Sequence, residues 1–403
     1  MRVPEKYKFI VQLGKALHTY GVPSYKSQIY LSEIAKKKGI KGSFMDTPTW
    51  INYTFFEEDD HTYNHVECVP PGELNLGALS RIVEITNNVI SNKLSVIKAK
   101  VEIEKIKTAR LGYGKFVELI AFIASAGAFS IILDASWASA ALAAFNGAII
   151  YGITLLAQKS RYIKTILESL VSLFATILTI IVAQYVTQIN ISMTILASII
   201  VFIPGLSITT ALEEITSRSL VSGTAKLFDA LVSLFKQFFG VVLGLMLMSQ
   251  FIDIVPNDVV RDIPAWFDYI AVALLAMGLL PVFKVRSKDL IFGAIAGFAS
   301  YYTTLLMDFS GLMISIFVGT IVAVIVSKIF SRITKSPEIV FLVPGIIMLV
   351  PGSKAFIGLS SILITAAPGG VNTGEQILYI FMGIIGGLIF SGSFIENRKF
   401  LKK

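Results

Sequence analysis

The chain has 403 residues, of which 54% are hydrophobic and 15% charged, with a mean hydropathy of +0.73 and a formal net charge of +8. A water-soluble chain of this length carries nearer a quarter charged residues, so most of this one is expected to lie in lipid. The positive balance matches the Lys and Arg that membrane proteins gather in cytoplasmic loops; with no basic helix and no aromatic–basic interleaving, no nucleic-acid partner is expected, and the single Cys68 excludes an internal disulfide.

Composition changes near residue 112. The opening stretch, MRVPEKYKFIVQLGKALHTYG, is polar and amphipathic and shows no continuous apolar run of a cleavable signal. Phe9, Leu13, Ala16 and Leu17 fall at helical spacing until Gly21 and Pro23. Ser24 is placed to cap a second helix through Ile29, Ile34 and Ala35, which Gly39 ends. The period then shortens. Trp50–Phe56 and Thr62–Val69 are aromatic and β-branched, and read as a hairpin turning at the acidic run Glu57–Asp60. Pro70, Pro71 and Gly72 close it, and helices are expected over about 76–92 and 95–108. Residues 1–112 therefore read as a small cytoplasmic α+β domain, large enough for its own core.

Nothing in that domain makes a catalytic case. His61, His65 and Cys68 lie beside Asp59 and Asp60, but on a strand the two histidines share one face while Cys68 points the other way. That spacing matches no zinc signature, and His18 stands alone on its helix. No Ser-His-Asp spacing, phosphate loop or dinucleotide turn is present. The chain is read as a non-enzyme, and no metal or cofactor is expected.

From residue 115 onward about ten spans follow, near 115–133, 137–157, 163–187, 191–213, 225–251, 265–283, 288–307, 310–330, 338–362 and 375–395. Basic residues fall on alternate sides. One set of loops holds Lys159, Arg161 and Lys164; Arg218; Lys284, Arg286 and Lys288; and Lys328, Arg332 and Lys335, joined by the tail from Arg398 to Lys403. The other loops are short and uncharged or acidic, at Asp134, 187–191, Asp253 to Asp262, Asp308 and 368–375. The positive-inside rule puts both termini and the first domain in the cytoplasm, in a multi-pass protein of the plasma (inner) membrane.

Two spans are interrupted alike: IVFIPGLS holds Pro204 and Gly205, and IMLVPGSK holds Pro351 and Gly352, 147 residues later. The same shift lays the first five spans on the second five. The fold expected is mostly α: a polytopic bundle of about ten transmembrane helices as a 5+5 inverted repeat, with residues 113–255 and 256–403 as the two units. Pro removes a backbone donor and Gly lets the chain leave helical geometry, so such breaks belong where they face protein or a cavity. Each restarted half-helix offers free N–H groups suited to a carboxylate. Candidate substrate-binding residues are Pro204, Gly205, Ser207, Thr209 and Thr210, with Pro351, Gly352, Ser353 and Lys354 at the second break.

Ionisable residues within spans are costly and usually functional. Glu118 and Glu168 lie one turn inside their spans, where interfacial water reaches them. Glu213 and Glu214 close the half-helix after the first break, and Asp229 follows Lys226 at a spacing that allows a local pair. Glu213 and Asp229 are the candidates for carrying a coupling proton.

These stretches together resemble a known family. YGVPSYKSQIYLSEIAKKKGI, DTPTWI, VPPGELNLGALSRI and SNKLS, then IPGLSITTALEEI, SGTAKLFDAL and LVPGIIMLVPGSKAFIGL, are similar to the threonine/serine exporter family and, in the same regions, to fungal pheromone-regulated membrane proteins. The resemblance covers nearly the whole chain. It implies a ten-span transporter that exports L-threonine and L-serine from the cytoplasm on the proton-motive force, its two halves fused in one chain. The motif residues it carries over are Pro204, Gly205, Thr209, Glu213, Gly223 and Lys226, with Pro344, Gly345, Pro351, Gly352 and Gly358. The expected partners are a small amino-acid substrate, protons and the lipid bilayer. A membrane-anchored sensor or enzyme working through residues 1–112, and a passive channel for small metabolites, are the competing readings.

Overall fold

The computed structural model describes residues 3–57, 61–70, 72, 75–108, 112–253, 259–349 and 369–400. The N-terminal region folds as expected, with one strand more. Helices α1 (Glu5–Thr19) and α2 (Ser24–Lys37) precede strands β1 (Lys41–Asp46), β2 (Trp50–Phe56) and β3 (Thr62–Cys68), which pair antiparallel in the order β1-β2-β3. The unforeseen β1 reads KGSFMD, where glycine and lysine dilute the alternation. On β2 the alternation is complete: Ile51, Tyr53 and Phe55 are buried, and Phe55 stacks on Tyr7 with ring centroids 3.8 Å apart. Glu57 donates its backbone N–H to His61 across the hairpin end. Gly39, at φ +68°, turns the chain out of α2 in the left-handed conformation that glycine adopts without strain. Ser24 does not cap α2: Pro23 holds the cap position, and the serine hydroxyl is engaged elsewhere.

Two more helices complete this region, α3 (Leu76–Ile90) and α4 (Val96–Thr108). Asn75 caps α3 by accepting from the Ala78 N–H at 2.9 Å. The membrane-like part contains α5 (Lys115–Ile132), α6 (Trp137–Ala157), the short α7 (Arg161–Thr165), α8 (Leu167–Tyr185), α9 (Ile191–Ser198), α10 (Gly205–Thr216) and α11 (Leu220–Met248). The second half contains α12 (Phe267–Val282), α13 (Leu290–Leu306), α14 (Leu312–Thr334), α15 (Ile339–Ile347) and α16 (Gly369–Phe400).

The molecule is mostly helical, and six described helices are long and apolar enough to cross a membrane; α9 with α10, bent by 54°, makes a seventh if counted as one span. α12 has 16 residues, about 24 Å of helix against a hydrocarbon core of about 30 Å. α15 ends at Ile347, just before the second Pro-Gly break, and the segment 350–368 lies outside the described residues. Many large apolar side chains face outward from these helices. On α11, Phe228, Val232, Phe235, Phe239 and Met246 are exposed at helical spacing, the arrangement of a lipid-facing stripe.

The N-terminal domain does not stand apart from the bundle. One cluster of buried side chains runs from Tyr7, Leu17 and Tyr53 through Leu280, Val285 and Ala296 to Ile339, Val340 and Phe341. Gly77 lets α3 approach so closely that an added Cβ would strike the Lys284 carbonyl oxygen. Arg286 ties the same seam, donating to Glu84 at 2.9 Å, to Asp289 at 3.1 Å and to Ser336 at 2.8 Å. The domain thus sits on the face that carries the Lys284–Lys288 and Lys335 loops.

Candidate functional site

The break after α9 is held open by side chains. A 3-10 turn, Ile200–Phe202, follows α9, and Pro204 then occupies the cap position of α10 with no side chain capping the helix. Gln237 on α11 donates to the Phe202 carbonyl at 2.7 Å, which satisfies one group released by the break. Asn146 on α6 donates to Ser198, the last residue of α9, at 3.0 Å, and to Thr179 on α8 at 3.3 Å. The two amides fix the broken segment from both sides.

α10 leads from this break to the N-terminal domain. A cavity of about 330 Å³ lies along it, lined by Ser207 and Thr210 from α10, Lys226 and Asp229 from α11, and His18, Ser24, Pro48, Thr49 and Gly72 from the domain. His18 is buried and its Nδ1 lies 2.7 Å from Asp46 Oδ1, with Nε2 3.1 Å from the Pro70 carbonyl, so the wall on that side is rigid. Gly72 is required there, because a Cβ would strike the His18 carbonyl oxygen.

At the far end of α10, Glu213 and Glu214 are buried, at 6% and 0% exposure. Glu213 Oε1 accepts from Tyr25 OH at 2.8 Å and from Lys26 Nζ at 2.9 Å. Glu214 Oε1 accepts from the Ser24 N–H at 2.8 Å and from Lys226 Nζ at 2.6 Å. The Ser24 and Ser222 hydroxyl oxygens are 2.7 Å apart. Burial pushes the Tyr25 phenol up, and the Glu213 carboxylate adds to the effect. Burial pulls the Lys26 ammonium down, but Glu213 outweighs it and holds that group above its ordinary value.

Each carboxylate uses one oxygen only. Among the described residues, Glu213 Oε2 and Glu214 Oε2 are buried without a hydrogen-bond partner. An orphaned buried acceptor costs about 1–3 kcal/mol, and more on a charged group, so the unused oxygens are a feature to explain.

The residues expected at the site are distributed as follows. Pro204 and Gly205 begin α10, and Ser207, Thr210 and Asp229 line the cavity. Thr209 is buried, with its hydroxyl committed to the Gly205 carbonyl at 2.8 Å. Glu213 lies at the domain seam. Lys226 does not pair with Asp229 as its spacing allowed: it reaches across to Glu214, and Asp229 is exposed. Gly223 lets α11 and α10 touch, since a Cβ there would lie 2.9 Å from the Ala211 carbonyl oxygen. Pro344 and Gly345 lie inside α15, where Gly345 packs on Ala323 of α14. Pro351, Gly352, Ser353, Lys354 and Gly358 lie outside the described residues. Sequence reasoning passed over Ser24, Tyr25, Lys26 and Ser222. The one signal for the first three was a run of polar residues, PSYKS, directly after a helix-ending Gly-Val.

Comparison with known proteins identifies the family. A family profile described as "Putative threonine/serine exporter" matches residues 8–248, more than half of the chain, and one described as "Threonine/Serine exporter, ThrE" matches residues 268–394. Similar curated proteins include pheromone-regulated membrane protein 10 of Kluyveromyces lactis, 24% identical over 87% of this chain and 38% of the relative. The same-named proteins of Eremothecium gossypii and Saccharomyces cerevisiae are 24% and 21% identical over 87% of this chain, covering 48% and 47% of their own lengths. The chain thus spans about half or less of the length of these relatives. No solved structure matches. With the first profile covering more than half of the chain, the broken helix and its buried acidic pair included, and the second covering most of the remainder, the chain belongs to the threonine/serine exporter family.

Proposed function

We propose that the chain is a secondary transporter that exports small polar amino acids, L-threonine and L-serine, from the cytoplasm across the plasma membrane in exchange for protons. The observation that carries the reading is the cavity beside α10, where two hydroxyl-bearing residues, a basic residue and an acidic one meet next to a broken helix. An amino-acid carboxylate suits the uncapped start of α10, and its ammonium suits Asp229; the Glu213–Glu214 pair, about 12 Å further along the helix, is a second seat for an ammonium. Ser207 and Thr210 are within one turn of each other and supply hydroxyls to read a serine or threonine side chain. Glu213 and Asp229 are the proton carriers in this reading, and Pro351 to Lys354 complete the site from the second half.

The same reading takes the bundle as ten spans in a 5+5 inverted repeat, with the N-terminal domain and both termini cytoplasmic. Helix neighbours support it: α8 packs on α11 and α14 on α16, while α6 packs on α9 and α13 on α15. Gly240 of α11 meets Ser169 and Ser172 of α8, and Gly387 of α16 meets Phe317 and Thr320 of α14. Those two contact glycines are separated by the same 147 residues as the two Pro-Gly breaks. The docking of the domain on the Lys- and Arg-bearing loops supports its cytoplasmic side.

Counterflow of labelled threonine in proteoliposomes tests the function. Uptake above empty liposomes, enhanced by a pH gradient of the right sign, is expected. Absence of threonine and serine uptake rejects the substrate, and uptake indifferent to the gradient rejects proton coupling in favour of a passive channel.

A further inference from the structure

Three consecutive residues at the start of α2 hold the acidic pair at the end of α10, from 187 to 190 positions away in the chain. Ser24 grips Glu214 through its N–H and Ser222 through its hydroxyl; Tyr25 and Lys26 both grip Glu213 Oε1. A clamp built only for stability would engage both oxygens of each carboxylate, yet both Oε2 atoms are buried and unpartnered among the described residues. Both carboxylates thus keep capacity for another donor, and Ser24 and Lys226, the two partners of Glu214, also line the 330 Å³ cavity.

Lys26 also has somewhere to go. It lines a second cavity, of about 460 Å³, between α2 and α3 on one side and the α14–α15 connection on the other. Glu338 lines that cavity too, and its side chain has no hydrogen bond or ion pair among the described residues. Lys26 therefore stands between two carboxylates, Glu213 in the seam and Glu338 across the second cavity.

We propose that Ser24–Lys26 form a lock on the transport site. In the locked state the Lys26 ammonium occupies on Glu213 the place of the cargo's ammonium. Loading of a primary-ammonium cargo moves Lys26 to Glu338, leaves both Glu213 and Glu338 paired, and frees α2 from α10. This rests on the exporter reading, and it makes the N-terminal domain a moving part of transport.

The test uses the full chain with Cys68→Ser, Ser24→Cys and Ser222→Cys in proteoliposomes. The two serine hydroxyls are near enough for their replacements to form a disulfide. Threonine counterflow should fall by about tenfold or more on oxidation and return with reductant. Equal transport by the cross-linked and reduced forms overturns the lock. Glu338→Gln removes the second seat of Lys26 without breaking a described contact. It should raise KM for threonine by about tenfold and leave the maximal rate in place; an unchanged KM overturns the switch. If the parent with Cys68→Ser alone moves no threonine, the exporter reading itself falls.

Discussion

Glu214 is fully buried and Lys226 is its only charged partner among the described residues, 2.6 Å away. Breaking a buried pair from one side leaves an uncompensated charge and costs about 3–5 kcal/mol, whereas removing both members is far milder. Lys226→Met should therefore lower thermal stability in detergent by several degrees, and Lys226→Met with Glu214→Leu should recover more than half of the loss. Unfolding followed by circular dichroism checks both. A double variant as unstable as the single one would mean that the Ser24 N–H, not the ion pair, dominates the site. The comparison also shows why spacing alone misassigned Lys226. Asp229 is three residues away on the same helix, but it faces an open cavity, and Glu214 offers a buried acceptor.

At the scale of elements, the contact of α10 with α11 decides whether the acidic pair reaches the domain. That contact depends on Gly223, whose added Cβ would lie 2.6 Å from Ile215 Cγ1 and 2.9 Å from the Ala211 carbonyl. A larger side chain must push the helices apart, at about 1–3 kcal/mol for overpacking. Gly223→Leu should abolish threonine counterflow, because it parts Ser207 and Thr210 on α10 from Lys226 and Asp229 on α11, which line one cavity. Gly152→Leu is the control: Gly152 is exposed on α6 and a Cβ there meets nothing within 4 Å, so transport should remain near the parent rate. Equal rates in the two variants would remove α10 from the transport path.

For the whole molecule, the domain docks on Lys- and Arg-bearing loops, which the proposed topology puts in the cytoplasm. Cys68, the single cysteine, is exposed on β3 and offers a natural reporter. A membrane-impermeant maleimide should label it in inside-out vesicles and leave it untouched in intact cells. The opposite pattern would invert the topology, and with it the direction assigned to transport. The seam also predicts strong coupling between domain and bundle, since one apolar cluster includes Tyr53 and Phe341 alike.

Periodicity determined much of this protein without help. Helices over 76–92 and 95–108, the WINYTFF hairpin and most of the apolar segments follow from the spacing of side chains along one stretch of backbone. The break at Pro204 is equally local, because Pro and Gly act on their own turn. β1 escaped because KGSFMD carries only two residues facing the core, Phe44 and Asp46. The site escaped for a different reason. Ser24, Tyr25 and Lys26 look like the polar opening of an ordinary helix, and Ser24 reads as its cap. Only the folded chain brings them against Glu213 and Glu214, where burial leaves protein groups in place of water as partners for the two carboxylates. Local backbone preferences are written in neighbouring residues; partners nearly 190 positions apart are chosen by packing.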